Sequence, residues 1–330
     1  MKAHIKRQSD DWRVIEHLDA VRLDAIDAGE GEHLYVYLRK SNLNTLDVVG
    51  LLAAHFNVPR IAIGYAGRKD KRAVTDQWFS VQTPLQLGGH QLTTDGKDSD
   101  VAILKVGRST KKLRVGELLA NEFQLRLRGL DGVQSGCAVL DDGLREDQRG
   151  PLCNLQQALS RPFANEFGPQ RFANDNVDVA IDWVVNRRAR QISQQQRGWH
   201  LSVLRSFLFN NVVCARQQHG DICQAVEGDH CIDGVPTGPL WGRGRSKTAG
   251  LALEIERAAL ADFGHVCEAL EYAGVDQSRR KLYCVPEALK VLPCIEPGIL
   301  EVQFRLPPGT YATTMLSHTF TLIEDANDAL

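Results

Sequence analysis

The stretch GYAGRKDKRAVTDQWFS (64–80) sets four cations, Arg68, Lys69, Lys71 and Arg72, around one carboxylate, Asp70. A strand candidate, RIAIGYAG (60–67), runs into this cluster and a second, QWFSVQ (77–82), leaves it, so the charges fall on a loop between strands. Nearby cations favour the ionised form of a carboxyl group. Asp70 is therefore expected to be a persistent anion, unsuited to be a general acid at neutral pH. It suits a nucleophile, or a base toward a developing cation. From spacing alone the commoner reading is an exposed polar turn whose aspartate neutralises its neighbours.

Working outward, HLYVYLRK (33–40) and EFQLRLR (122–128) have strand character, and TLDVVGLLAAHF (45–56) carries apolar residues at helical spacing with Asn44 or Thr45 as N-cap. A strand–helix–strand opening followed by more strands predicts a mixed sheet with helices on one face. From about 152 to 275 helical signals dominate. In WHLSVLRSFLFNNVV (199–213), Leu201, Leu204, Leu208 and Val212 line one face. TAGLALEIERAALADFGHVCEALEYAG (248–274) reads as one long helix, separated from the first by the Gly- and Pro-rich IDGVPTGPLWGRGRSK (232–247). Strand character returns in ILEVQFRL (299–306), before a Pro-Pro-Gly turn. A β-rich start, a helical middle and a closing strand predict an inserted domain, with the last strand rejoining the first sheet.

A chain of 330 residues with 43% hydrophobic and 24% charged residues has room for two domains and is not a disordered polymer. No apolar run approaches the ~18 residues of a membrane span, and MKAHIKRQSDDW lacks the apolar stretch of a signal peptide, so a cytoplasmic protein without a membrane partner is expected. None of the 8 cysteines forms a CxxC pair, and His219, Cys223, His230 and Cys231 match no common metal-site spacing. Reduced, mostly buried thiols are expected. The formal charge of −2 excludes a blanket of basic charge for nucleic acid.

The cations are nevertheless bunched. A second basic region holds Lys105, Arg108, Lys111, Lys112, Arg114, Arg126 and Arg128, and a third Arg187, Arg188, Arg190 and Arg197. Acidic residues gather elsewhere, in LDAIDAGEGE (23–32) and DDGLRED (141–147). Converging basic regions would track a phosphate backbone. Trp12, Trp78, Phe123 and Tyr311 stand beside them, as stacking of a splayed base requires, though each reads equally as a core aromatic.

Together these motifs resemble one family, the TruD-type tRNA pseudouridine synthases, from Lys6 to about Ser317. GRKDKRAVTDQW (67–78) matches the signature G-x-K-D-K-x-A-x-T-x-Q-x, and HIKRQSDDWRVIE (4–16) resembles I-K-x-x-x-x-D-F-x-V-x-E. KSNLNT (40–45), KLRVGELLANEF (112–123), FGPQRF (167–172), PTGPLWG (236–242) and GTYAT (309–313) are similar to further family segments and follow in family order. Trp12 and Tyr311 stand where the family usually has Phe, and Ala120 and Ala173 where it usually has Gly.

The resemblance implies an α/β (α+β) fold: a catalytic domain on a mixed, mainly antiparallel sheet (1–166 plus 285–330) with an inserted α/β TRUD domain (167–284). It implies an isomerase that converts uridine to pseudouridine in tRNA, the family target being uridine 13, with tRNA or another structured RNA as partner and no obligatory protein partner. The reaction breaks the N1–C1′ bond of uridine, turns the base and joins C5 to C1′, so no redox cofactor, nucleotide or metal is implied. The sequence has no Walker A motif and no G-x-G-x-x-G after a strand. Asp70 is the implied catalytic residue and Lys6 its partner. Trp12, Asn121, Phe123 and Tyr311 would contact the flipped base, and Arg68, Lys69, Lys71, Arg72, Lys111 and Lys112 would take phosphates. Two other readings stand beside this one. One is a catalytically silent RNA-binding protein of the same fold. The other is a glycosidic-bond hydrolase with Asp76 as second carboxylate.

Overall fold

The strand readings nearest the charge cluster set the architecture. In the computed structural model, which describes residues 1–84, 100–130, 146–173, 175–186, 192–294 and 296–324, the chain opens with β1 (Lys2–Ile5), β2 (Trp12–His17), α1 (Ala20–Asp27), β3 (His33–Ser41) and α2 (Thr45–Phe56). Next come β4 (Ile63–Tyr65), β5 (Val74–Gln82), β6 (Asp100–Ser109), β7 (Ala120–Arg128) and α3 (Glu146–Leu159). Then follow β8 (Phe163–Ala164), α4 (Asn176–Val184), α5 (Gln194–His219), β9 (Cys231–Ile232), β10 (Val235–Leu240), α6 (Gly250–Ala259), α7 (Gly264–Tyr272), β11 (Ser278–Lys281) and β12 (Tyr283–Cys284). The chain closes with β13 (Glu287–Pro293), β14 (Ile299–Leu306), α8 (Ala312–Ser317) and β15 (Thr321–Glu324).

A sheet of ten strands runs β13-β14-β7-β2-β5-β3-β6, with β1, β15 and β4 attached beside it. Its pairings are antiparallel except β2 with β5 and β1 with β15, a mixed, mainly antiparallel sheet. The closing strand β14 does rejoin it, pairing with β7 along its full length.

The period of two in a strand decides which face each residue joins. Leu34, Val36 and Leu38 of β3, with Phe79 and Val81 of β5, pack against Val48, Val49, Leu52 and Phe56 of α2. The intervening Tyr35 of β3 and Trp78 of β5 join Ile26 of α1, Leu113 and Leu118 on the other face. Helices thus cover both faces, not one as expected. The approach of α1 needs a glycine beneath it: a Cβ on Gly107 would lie 2.4 Å from the Ile26 side chain. The helical pattern of α2 fulfils its sequence signal, with Asn44 accepting from the Leu46 and Asp47 amides. By contrast, 60–67 is extended only at Ile63–Tyr65, because a 3-10 turn at Arg60–Ala62 follows Pro59.

Cα packing divides the chain into two units: Met1–Ser160 with Pro286–Gly309 and Thr319–Leu330, and Arg161–Val285 with Thr310–His318. The second therefore takes residues 161–166, 285 and 310–318, which the sequence reading gave to the first. Strand pairing explains the difference: β8 pairs with β12, and Asn165 binds the Lys281 and Leu282 carbonyls and Thr310. In this unit Leu201, Leu204, Leu208 and Val212 of α5 are buried against α4 and α7 residues. The expected long helix over 248–274 is broken at Leu260, and a 3-10 turn over Ala261–Phe263 separates α6 from α7. The turn re-phases the apolar stripe so that Leu260, Val266, Cys267 and Leu270 all reach the core. Among the described residues no helix is long and apolar enough to cross a membrane. Arg187, Arg188 and Arg190, and residues 141–145 of the acidic segment, lie outside the described residues.

Candidate active site

The loop between β4 and β5 is tied down by polar groups that strands and a helix start present from below. Gln77 of β5, wholly buried, donates from Nε2 to the Gly67 carbonyl at 2.7 Å. Thr45, the first residue of α2, donates from Oγ1 to Gln77 Oε1 at 3.2 Å and accepts from the Lys69 amide at 2.9 Å. Lys40 near the end of β3 has no exposed surface. Its ammonium donates to the Asp70 carbonyl at 3.0 Å and to the Leu43 carbonyl at 2.6 Å. Burial pushes this lysine down to about 8, partly opposed by the Asp70 charge and assisted by Lys69. These anchors fix the backbone of 67–70 while leaving the Asp70 carboxylate 56% exposed.

Lys6 meets that carboxylate from the end of β1. Its backbone adopts φ 55°, a left-handed conformation that costs a lysine on the order of 1 kcal/mol. The side chain then lies 4% exposed, with Nζ 3.0 Å from Asp70 Oδ2, 3.5 Å from Glu324 Oε1 and 4.9 Å from the centre of the Trp12 ring. Arg72 donates to the Lys6 carbonyl at 3.1 Å and binds the turn from the other side. An exposed carboxylate is thus held by a buried ammonium that its own surroundings orient.

Beside this pair, β2 and β7 run antiparallel with Glu16 opposite Asn121 and Val14 opposite Phe123. Trp12, Val14 and Glu16 of β2 and Asn121, Phe123 and Leu125 of β7 therefore share one face. Lys69 descends onto the Glu16–Asn121 pair: its ammonium is 2.6 Å from Asn121 Oδ1 and 2.8 Å from Glu16 Oε2. Phe123 is buried and stacks on Phe304 with centroids 5.3 Å apart. Trp12 is buried too, and Trp78 lies on the opposite face, stacked on Tyr37.

The structure brings Lys6, Asp70, Lys69, Asn121, Trp12 and Phe123 onto one side of the sheet. Trp12 and Phe123 stand there as walls that show little of their rings to solvent. Tyr311 belongs to the other unit, where it starts α8 with its ring 6.0 Å from that of Phe167. Of the expected phosphate contacts, Arg68, Lys71 and Lys111 are exposed. Lys69 is corrected: a side chain 7% exposed and ion-paired inward cannot reach a phosphate. Lys112 donates to the Ile61 carbonyl, as Arg72 does to Lys6.

The second basic region is largely spent within the unit. Arg108 binds the Gly31 and Thr83 carbonyls, Lys105 pairs with Asp27, Arg126 with Glu301 and Arg128 with Asp11. Strand alternation also sends Arg126 and Arg128 to the face opposite Asn121. Asp76, weighed as a second carboxylate, lies on that opposite face, clamped by Arg39 at 2.7 Å and Arg13 at 2.8 Å. Burial works to raise its carboxyl, but the two guanidinium groups outweigh it and hold it below the usual range. Sequence reasoning missed Glu16, Lys40, Thr45 and Gln77 as parts of the site. For Glu16 and Lys40 the available signal was a charged side chain at an alternation position whose same-face strand neighbours, Trp12 and Val14 or Val36 and Leu38, are apolar.

Three comparisons bear on this geometry. The family model of tRNA pseudouridine synthase D (TruD) matches residues 1–179. The tRNA pseudouridine synthase D of Aeromonas salmonicida is 34% identical over 99% of this chain and 95% of its own length. That of Methylococcus capsulatus is 34% identical over 96% and 90%. A crystal structure described as the putative tRNA pseudouridine synthase D of Methanosarcina mazei superposes with a TM-score of 0.59 at 18% identity, covering 96% of this chain and 93% of the other. At that identity the likeness concerns the fold.

Proposed function

The chain belongs to the tRNA pseudouridine synthase D (TruD) family, and we propose that it converts uridine 13 of tRNA to pseudouridine with Asp70 as its catalytic carboxylate. One observation carries this reading: an exposed carboxylate, on a loop anchored by buried polar groups, receives an ion pair at 3.0 Å from a lysine that is 4% exposed. The reaction is an isomerisation and needs such an anion near C1′ and C2′ of the flipped nucleotide. Asp70 either attacks C1′ or takes a C2′ proton to give a glycal; both routes use the carboxylate, which the Lys6 ion pair holds in place.

Flipping the nucleotide costs a few kcal/mol; stacking on an aromatic side chain, worth ~1–3 kcal/mol per base, offsets it, and Trp12 and Phe123 are the aromatics of the first unit assigned to that role. Phe123 lacks a hydroxyl, so it does not take the C5 proton. Asn121 hydrogen-bonds the uracil edge. Arg68, Lys71 and Lys111 are the exposed cations assigned to the phosphate backbone, and binding should weaken with salt accordingly. The first unit acts as the catalytic domain, the second as the inserted RNA-contacting domain, and the enzyme works in the cytoplasm.

The test is to incubate the protein with unmodified tRNA transcripts and map pseudouridine chemically. Conversion at uridine 13 by the wild type, and none by Asp70→Asn with RNA binding retained, is the expected result. Comparable turnover by Asp70→Asn would overturn the role of Asp70. Conversion at another site would overturn the target, and release of free uracil would make the protein a hydrolase.

A further inference from the structure

Glu16 is a carboxylate with no exposed side-chain surface. Its Oε1 accepts from the Trp78 amide at 3.2 Å, and its Oε2 lies 2.8 Å from the Lys69 ammonium, off the line of a hydrogen bond. A carboxylate buried in this way is costly without a counter-charge, so Glu16 holds Lys69 inward. The same ammonium donates to Asn121 Oδ1 at 2.6 Å. A lysine ammonium has three donors and no acceptor, so only the oxygen end of an amide can face it. The direction of the Asn121 amide is therefore set by chemistry. Its Nδ2 group is turned away from Lys69, and no group among the described residues accepts from it.

We infer that Lys69, backed by Glu16, is a positioning residue that locks Asn121 as a hydrogen-bond donor toward a ring carbonyl of the target base. The inference rests on the reading that Asn121 stands at the base. A free asparagine amide offers either end and tolerates a donor or an acceptor. A locked one demands an acceptor, which uracil supplies at O2 and at O4. Where the contact is O4, the lock also rejects cytosine, whose amino group at that position would leave two donors facing each other.

Steady-state kinetics on a tRNA transcript with uridine, 2-thiouridine or 4-thiouridine at the target position tests this, sulfur being the poorer acceptor. Asn121→Asp keeps the size and gives Lys69 a carboxylate to pair with, but loses the donor. It is expected to lose about 100-fold in kcat/KM on the uridine transcript while still folding, with a melting temperature lowered because Glu16 and the new carboxylate share one ammonium. Because Lys69→Met alone would strand the buried Glu16 charge and risk misfolding, the second variant is Glu16→Gln/Lys69→Met, which removes both charges. It is expected to fold and to lose about 10-fold, the amide now being free to turn.

In the wild type one thio-substitution should lower kcat/KM, at 2 or 4 according to the carbonyl used, and in Asn121→Asp that penalty should vanish. Wild-type activity in Asn121→Asp, or a thio penalty that persists unchanged in it, overturns the inference and leaves the synthase reading standing. Absence of pseudouridine with the wild-type enzyme instead refutes that reading itself.

Discussion

Asp70 and Asp76 belong to one motif, yet the fold gives them opposite surroundings. Asp70 lies on a loop, 56% exposed, and meets one buried ammonium. Asp76 lies in β5, 4% exposed, and is held by two guanidinium groups that are themselves about a third exposed. The first arrangement leaves carboxylate surface free for a substrate. The second engages both oxygens, with three hydrogen bonds from Arg13 and Arg39, to join β2, β3 and β5 across the back of the sheet. What separates the carboxylate proposed to be catalytic from the structural one here is accessible lone pairs; both are paired with cations.

That contrast predicts two mirror-image substitutions. Asp70→Asn should abolish pseudouridine formation by more than about 1,000-fold while leaving thermal unfolding near that of the wild type. Asp76→Asn should do the reverse. It removes the common partner of Arg13 and Arg39 and should cost about 2–4 kcal/mol, reduced from full burial because both arginines are partly solvated. Activity per folded molecule should survive. The Asp76 carboxyl is depressed in the folded state, so its stabilisation is complete above the ordinary carboxylate range and is lost as pH falls through the folded value. Denaturant unfolding from pH 6 to pH 3 should therefore show wild type and Asp76→Asn converging in acid. Loss of activity at full stability in Asp76→Asn would break the comparison.

A smaller effect sharpens it. Lys6→Met keeps a stem beside Trp12 but removes the ammonium from Asp70. It should lower kcat about 100-fold with little change in KM, because a misaligned carboxylate still lets RNA bind. Lys6→Arg should recover part of the loss.

A last effect concerns Lys40. This lysine titrates near 8 when folded against 10.5 unfolded. Between those values the unfolded chain holds a proton that the folded one has released, so the lysine adds stability as pH rises, by at most about 1.4 kcal/mol per pH unit. The stability difference between wild type and Lys40→Met should widen over that window in favour of the wild type. A flat difference would mean that Lys40 stays protonated against the Asp70 carbonyl. Its two hydrogen bonds survive either way, since a neutral amine still has two N–H donors.

Much of the fold was legible because its signals are local. The helix at 45–56 and the strand at 299–306 appear with the bounds that apolar periodicity drew. The break between α6 and α7 was not legible, because a continuous apolar period does not show where a turn must re-phase it against α4 and α5. Nor was the partition of the cations. Lys69 and Lys71 are chemically alike and two positions apart, yet one is locked on Glu16 and the other is exposed.

The strand-loop-strand frame, the cation cluster around Asp70 and the family are all legible in the residues alone. Composition, periodicity and a contiguous motif carry these without reference to distant residues. Which charges stay exposed and which face each other was settled by contacts between strands far apart in the chain. That outcome depends on the register that sets Glu16 opposite Asn121 and turns Asp76 to the other side. Register is a property of two strands at once, and a shift of one residue in either would exchange the two faces.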